Sequence, residues 1–317
     1  YNGGGGTFLD LTVLLEEMGR ALLPGPFFAT VVQAGLTIME AGSEEQKKLY
    51  LSGISRGDLL GTLALLEEDT LYPAENIRTV AQKKGEDYVI SGSKVLVPDA
   101  QVANFIICPV VMDDNKSHIK PISLFIVDSK SPGITVTPLN TISGDKLSEV
   151  RFNNVTVAKR HLLGKLGEGA SYLDRSIPKM IVGKCAEIVG AAQQTLEMTI
   201  QYIKERKQFG RALGSFQVLQ HYSADMVTDV EGCRHVTSQA AWMLSEGLSC
   251  RKEVAIAKAW CSEAFKRITS TAHQMHGGIG FTEEHNLHLY YKKAKAWELF
   301  LGDSDLHRET VAVEMGL

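Results

Sequence analysis

The chain has 317 residues, 44% hydrophobic and 22% charged, which suits two or three soluble domains and excludes a disordered or collagen-like polypeptide. A formal net charge of -4 lacks the basic excess of a nucleic-acid binder. No apolar run approaches the roughly 18 residues of a membrane span. The five cysteines contain no CxxC pair, so neither a disulfide framework nor a zinc site is favoured. A reducing, cytoplasmic setting fits best, and a cleaved targeting peptide would leave no trace in this sequence; because the chain starts at Tyr1 and not Met, upstream sequence is expected.

Residues 1–58 read as a partial helical domain. Leu11, Leu14, Leu15, Met18 and Leu22 recur at helical spacing until Pro24-Gly25-Pro26 breaks the pattern. A second helix is expected over Thr30–Ala41. A third starts at Ser43, whose partner Gln46 completes a capping box. Gly3 to Gly6 follow no strand and are not a dinucleotide fingerprint.

Residues 59–164 change to short strands separated by turn residues, the pattern of a central β-barrel-like domain. The expected strands are Leu59–Leu66, Arg78–Gln82, Tyr88–Val97 with a bend at Gly92, Phe105–Val111, Ser123–Val127, Ile134–Val136 and Val150–Val157. Residues 165–317 return to the helical period and are expected to form a C-terminal four-helix bundle. Its helices are a long one carrying the stripe Ile181, Cys185, Ile188, Ala192, Leu196, Ile200 and Ile203, then Phe216–Leu244, Glu253–His276 and His285–Phe300. The fold class is therefore α+β and multidomain, without the βαβ alternation of a Rossmann domain.

Three stretches carry more than composition: Glu205-Arg206-Lys207-Gln208-Phe209-Gly210-Arg211 with Phe216-Gln217; Gln274-Met275-His276-Gly277-Gly278-Ile279-Gly280-Phe281; and Phe152 to Val157 closing with Leu162-Leu163-Gly164. Taken singly, Arg206 reads as a solvated helix residue, Gly277-Gly278 as a helix C-cap and Phe209 as core. In their order and spacing, together with Ala41-Gly42-Ser43-Glu44-Glu45-Gln46-Lys47, they resemble the acyl-CoA dehydrogenase family over the whole chain. Relative to that family, part of the N-terminal helical domain is absent.

The resemblance implies FAD, an acyl-CoA thioester substrate, an electron-transfer flavoprotein or similar acceptor, and a dimer or tetramer in which each FAD is shared with a neighbour. It implies α,β-desaturation of the thioester, an oxidoreductase reaction on a CH–CH bond. By the same resemblance Arg206 supplies charge to the pyrophosphate, a task suited to a guanidinium. Phe209 packs on the cofactor, Gln217 and Gln274 hydrogen-bond it, and Gly277 and Gly278 admit its close approach.

The chain departs from the family where the base belongs. Leu301 stands at the usual glutamate position, and Met180 stands where other members place the base. Asp303 is the nearest carboxylate and the candidate catalytic base; the alternative is that it caps a helix starting at Ser304. The neighbouring Asp305, His307 and Arg308 divide the same way, between acid–base machinery and polar flanks of that cap. Leu66 and Val95-Leu96-Val97 replace the hydroxyl-bearing residues that usually face the isoalloxazine. Two readings follow: a divergent enzyme active by itself, or a non-catalytic subunit that completes the FAD site of a related, base-bearing partner. His273/His276 and His285/His288 form two HxxH pairs, expected to be exposed or capping and not metal ligands. Cys185 and Cys233 are expected to be buried, inert thiols.

Overall fold

The computed structural model describes residues 1, 3–68, 77–112 and 121–317. The first leucine stripe forms α1 (Phe8–Arg20), opened by a capping box between Thr7 and Asp10. A π-helical segment (Phe28–Gly35) runs into α2 (Leu36–Ala41), where a single helix is expected from the sequence. The Ser43/Gln46 capping box opens α3 (Glu44–Ser55): the Gln46 amide donates to Ser43 Oγ at 3.2 Å and the Ser43 amide to Gln46 Oε1 at 3.0 Å.

The sheet comprises β1 (Gly61–Leu63), β2 (Val80–Lys84), β3 (Asp87–Pro98), β4 (Phe105–Met112), β5 (Ile122–Asp128), β6 (Ile134–Leu139), β7 (Leu147–Val157) and β8 (Leu162–Leu163). Their order is β6-β7-β3-β2-β4-β5-β8, with β1 alongside β4. β4 runs parallel to β1 and β2, and the remaining pairs are antiparallel. Among the described residues the end strands β6 and β8 do not pair, so the sheet is open and mixed and the expected barrel is not closed. Only Gly61–Leu63 of the first apolar run forms a strand; Leu66 makes an isolated bridge to Val95. Gly92 takes φ +151 at a register shift in β3, where an added Cβ would lie 2.6 Å from Thr79 Oγ1.

After β8 come α4 (Gly169–Glu205), a short hairpin of β9 (Lys207–Gln208) and β10 (Arg211–Ala212), then α5 (Gln217–Ser245), α6 (Arg251–His276), α7 (Leu287–Glu298) and α8 (Ser304–Glu314). The expected four-helix bundle is thus a five-helix domain among the described residues; the additional α8 begins where Asp303 caps it.

The chain divides into two compact units, Tyr1–Gly5 with Pro24–Met180, and Gly6–Leu23 with Ile181–Leu317. In the first, Ile90, Ile106, Phe125, Val127 and Phe152 share one apolar core. In the second, α1 joins the C-terminal helices. Gly19 lies against the Glu187 backbone and Gly190 against that of Glu16, so the helices approach closely where no Cβ intervenes. The ion pairs Arg20–Glu197 and Arg234–Glu16 flank this crossing.

Candidate functional site

In the second unit, the end of α4, the start of α5 and the end of α6 are joined by short links and close contacts. Tyr202 stacks on His276, with ring centroids 4.4 Å apart, and its hydroxyl donates to the His276 carbonyl at 3.2 Å. Arg206 follows within the next turn, its amide donating to the Tyr202 carbonyl at 2.8 Å. The β9–β10 hairpin then turns through Phe209 and Gly210, at φ +52 and +78. Two central residues with positive φ suit a two-residue hairpin, but a phenylalanine there is strained by about 1–2 kcal/mol. Phe209 nevertheless stands 89% exposed, touching Phe216 edge-on at 6.1 Å, while Arg211 lies 4.0 Å over the Phe216 ring. Phe209 is thus strained and exposed, and the expectation that it is core does not hold.

Gln217 opens α5 and Gln274 lies in the last turn of α6; both are exposed, as is Arg206. Among the described residues none of these three side chains makes a hydrogen bond or ion pair. Gly277 ends α6 at φ +64, and an added Cβ at Gly277 or Gly278 would meet nothing within 4 Å. Free guanidinium and amide donors, an exposed aromatic and an open glycine backbone fit an anionic, ring-bearing cofactor such as FAD.

The histidines beneath this surface are not exposed. His273 and His276 are both 4% accessible, and their Nδ1 atoms lie 2.8 Å from the Thr269 and Ala272 carbonyls, one turn back. Burial pushes the His276 imidazole below its ordinary pKa. Among the described residues no group of histidine, cysteine or carboxylate side chains could hold a metal. Cys185 and Cys233 are buried, and a Cys185–Cys261 hydrogen bond together with burial raises the Cys185 thiol pKa.

Leu301, expected from the resemblance to stand where the base belongs, is 4% accessible and adopts φ +52; Gly302 follows at φ +99. The Leu301 carbonyl accepts from His307 Nε2 at 3.0 Å, which makes Nε2 the protonated nitrogen. Burial lowers the His307 pKa to about 4. Asp303 Oδ1 accepts the Leu306 amide at 3.0 Å as the N-cap of α8, the second of the two roles open to it in the sequence. Glu298, buried, is paired with Lys295 at 2.8 Å and Lys266 at 3.7 Å. Met180 is fully buried.

Lys258, which the sequence reading passes over, lies behind this loop at 0% accessibility. Its ammonium donates to Glu298 O at 2.7 Å, Ser262 Oγ at 2.9 Å and Trp297 O at 3.1 Å. The signal that could have exposed it is its place in the apolar stripe Val254, Ala257, Cys261 and Phe265 of α6.

In the first unit, the Val95 amide donates to Leu66 O at 2.9 Å. Val97 is buried, whereas Leu96 is exposed at φ +52. Beneath this bridge lies a buried ion pair, Lys94 Nζ to Glu67 Oε1 at 2.6 Å, whose carboxylate also accepts from Arg78 N at 2.7 Å and Thr79 Oγ1 at 2.8 Å.

Three family matches cover most of the chain: the acyl-CoA dehydrogenase N-terminal domain over residues 1–58, the middle domain over 62–155 and the C-terminal domain over 167–316. The probable acyl-CoA dehydrogenase YngJ of Bacillus subtilis is 32% identical over 99% of this chain and 84% of its own length. The solved FAD complex of PigA superposes with a TM-score of 0.92 at 25% identity, covering 99% of this chain and 84% of that one. The ChsE4-ChsE5 complex of Mycobacterium tuberculosis gives 0.88 at 28% identity, over 99% and 81%. Family matches over all three regions and a close relative of nearly full coverage place this chain in the acyl-CoA dehydrogenase family of FAD-dependent oxidoreductases.

Proposed function

We propose that this chain serves the α,β-desaturation of an acyl-CoA thioester as the subunit that completes a partner's FAD site, and that the α-proton is taken by a related, base-bearing subunit. The observation that carries this reading is that Leu301, which the resemblance aligns with the family's glutamate, is buried and has no titratable group. Met180 offers none either, and the Asp303 carboxylate is engaged with the Leu306 amide. The likeness to a two-protein complex supports a heteromer.

FAD, when bound, supplies the acceptor for the β-hydrogen. Arg206 would pair its guanidinium with the pyrophosphate, an interaction that needs no proton transfer at any working pH. Gln217 and Gln274 would donate or accept hydrogen bonds, and Phe209 would cover the cofactor and exclude water. Gly277 and Gly278 leave room for its approach without a displaced side chain. An electron-transfer flavoprotein or similar carrier would reoxidise the assembly.

The test is to purify the full chain alone and after co-expression with a base-bearing family member. Colourless, inactive protein alone, and yellow, active protein only in the mixture, support the reading. Acyl-CoA oxidation by this chain alone overturns it and returns the base to Asp303.

A further inference from the structure

We propose that Lys258 is a positioning residue which, with His307 and Asp303, holds the Leu299–Gly302 loop in the shape required where the family carries its base. The functional part of this inference rests on the reading that Leu301 occupies the base position.

Four observations converge on the loop. Leu301 lies in the left-handed region, which a non-glycine side chain keeps only where its surroundings over-determine it. The strand of chain entering the loop is fixed by Lys258, whose three ammonium donors are all used, two of them on the Trp297 and Glu298 carbonyls at the end of α7. The middle is fixed by His307 Nε2 on the Leu301 carbonyl. The exit is fixed by Asp303 on the Leu306 amide. An apolar core does not need this frame: a buried leucine could be accommodated in an ordinary conformation without a buried ammonium and a buried imidazole beside it. The frame makes sense if it sets a backbone position from which residue 301 points in one direction.

The network also tolerates loss of the Lys258 proton. A neutral amine keeps two N–H donors for the two carbonyls, and its lone pair accepts the Ser262 hydroxyl. The loop is therefore held in either charge state.

Two single variants test the frame in the full chain: Lys258→Met, which keeps the stem and removes the donors, and His307→Phe. Hydrogen exchange of the amides from residue 299 to residue 306 should quicken about tenfold to a hundredfold in each, while the middle of α6 stays as in the wild type. Unchanged exchange in the loop, in whichever variant folds, overturns the inference; so does an increase spread evenly over all five C-terminal helices.

A second arm reads function. Leu301→Glu is introduced in the FAD-loaded assembly whose partner has lost its base, and wash-in of deuterium at the α-carbon of butyryl-CoA is followed. The expected result is exchange in Leu301→Glu that falls about tenfold or more in Leu301→Glu/Lys258→Met, with butyryl-CoA affinity unchanged. Loop exchange that responds to Lys258→Met, with no α-carbon exchange in Leu301→Glu, keeps Lys258 as the loop's anchor and overturns the placement of Leu301 at the base position.

Discussion

The buried ammonium of Lys258 makes the stability of the C-terminal unit depend on pH in an unusual direction. Burial lowers its pKa from the ordinary 10.5 to about 8, against the attraction of the neighbouring Glu298 and Asp303 carboxylates. Below about pH 8 the folded and unfolded chains both carry the proton, and the folded chain bears the cost of burying it. Between about pH 8 and 10.5 the folded chain has released the proton and the unfolded chain has not. The unfolded state then binds more protons, so stability rises with pH across this window. At about 1.36 kcal/mol per pH unit, the window from about 8 to 10.5 corresponds to about 3 kcal/mol.

Lys258→Met has no such titration. It removes the Lys258 donor from the Glu298 carbonyl, at about 1–3 kcal/mol, and from the Trp297 carbonyl, which keeps the Phe300 amide at 3.3 Å, but it also removes the charge-burial cost that the wild type bears near neutrality. The variant is therefore expected to melt only slightly below the wild type at pH 7, and much further below it at pH 10. The gap in melting temperature should widen by roughly 5–10 °C between those values. Paired thermal melts by circular dichroism across that range measure it. A gap that is constant, or that narrows as pH rises, refutes the assignment of a desolvated ammonium to this site.

Three further outcomes are expected. Arg206→Ala in the assembled enzyme should weaken FAD binding about tenfold to a hundredfold by fluorescence titration, with the melt of the FAD-free protein unchanged because the side chain is exposed; unaltered affinity removes Arg206 from the proposed cofactor site. Asp303→Ala should cost about 1 kcal/mol through loss of the α8 cap, whereas Asp303→Asn, which retains an accepting oxygen, should stay within a few tenths; equal losses in urea titrations argue against the cap as the residue's structural role. Glu67→Gln should cost about 3–5 kcal/mol at neutral pH by leaving the buried Lys94 without its counter-ion. Although burial alone would raise the Glu67 pKa, Lys94 and the Thr79 and Arg78 donors bring it below 4.5, so this stabilisation is complete above about that pH and is lost as pH falls through the folded value. Acid titrations in which the wild-type and Glu67→Gln stabilities fail to converge at low pH contradict that linkage.

Much of this protein is local and therefore legible in the residue order. Helix-period leucines, the Ser43/Gln46 box and the Pro24-Gly25-Pro26 break act within one or two turns, so α1 and α3 arise where the spacing puts them. The proposed cofactor set also rests on short-range spacing: Arg206 and Phe209 share one helix end and hairpin, and Gln274, Gly277 and Gly278 share one helix terminus. That Leu301 carries no titratable group is a matter of residue identity alone.

What the sequence could not decide depends on partners far away along the chain. Whether the sheet closes depends on β6 meeting β8, which no strand's own alternation specifies. α1 belongs with the C-terminal helices because Gly19 and Gly190 let backbones meet across a long sequence separation. Residue type misleads for His273 and His276, which look solvated and are buried, because each satisfies its Nδ1 on a carbonyl of its own helix. It misleads most for Lys258. A lysine is costly to bury unless three acceptors converge on it, and here they come from α6 and from the end of α7, thirty-nine and forty residues away for the two carbonyls. Its place in the α6 stripe turns it inward, but only the packing of α6 against α7 brings the two carbonyls within reach, so the tertiary structure alone decides how this buried charge is satisfied.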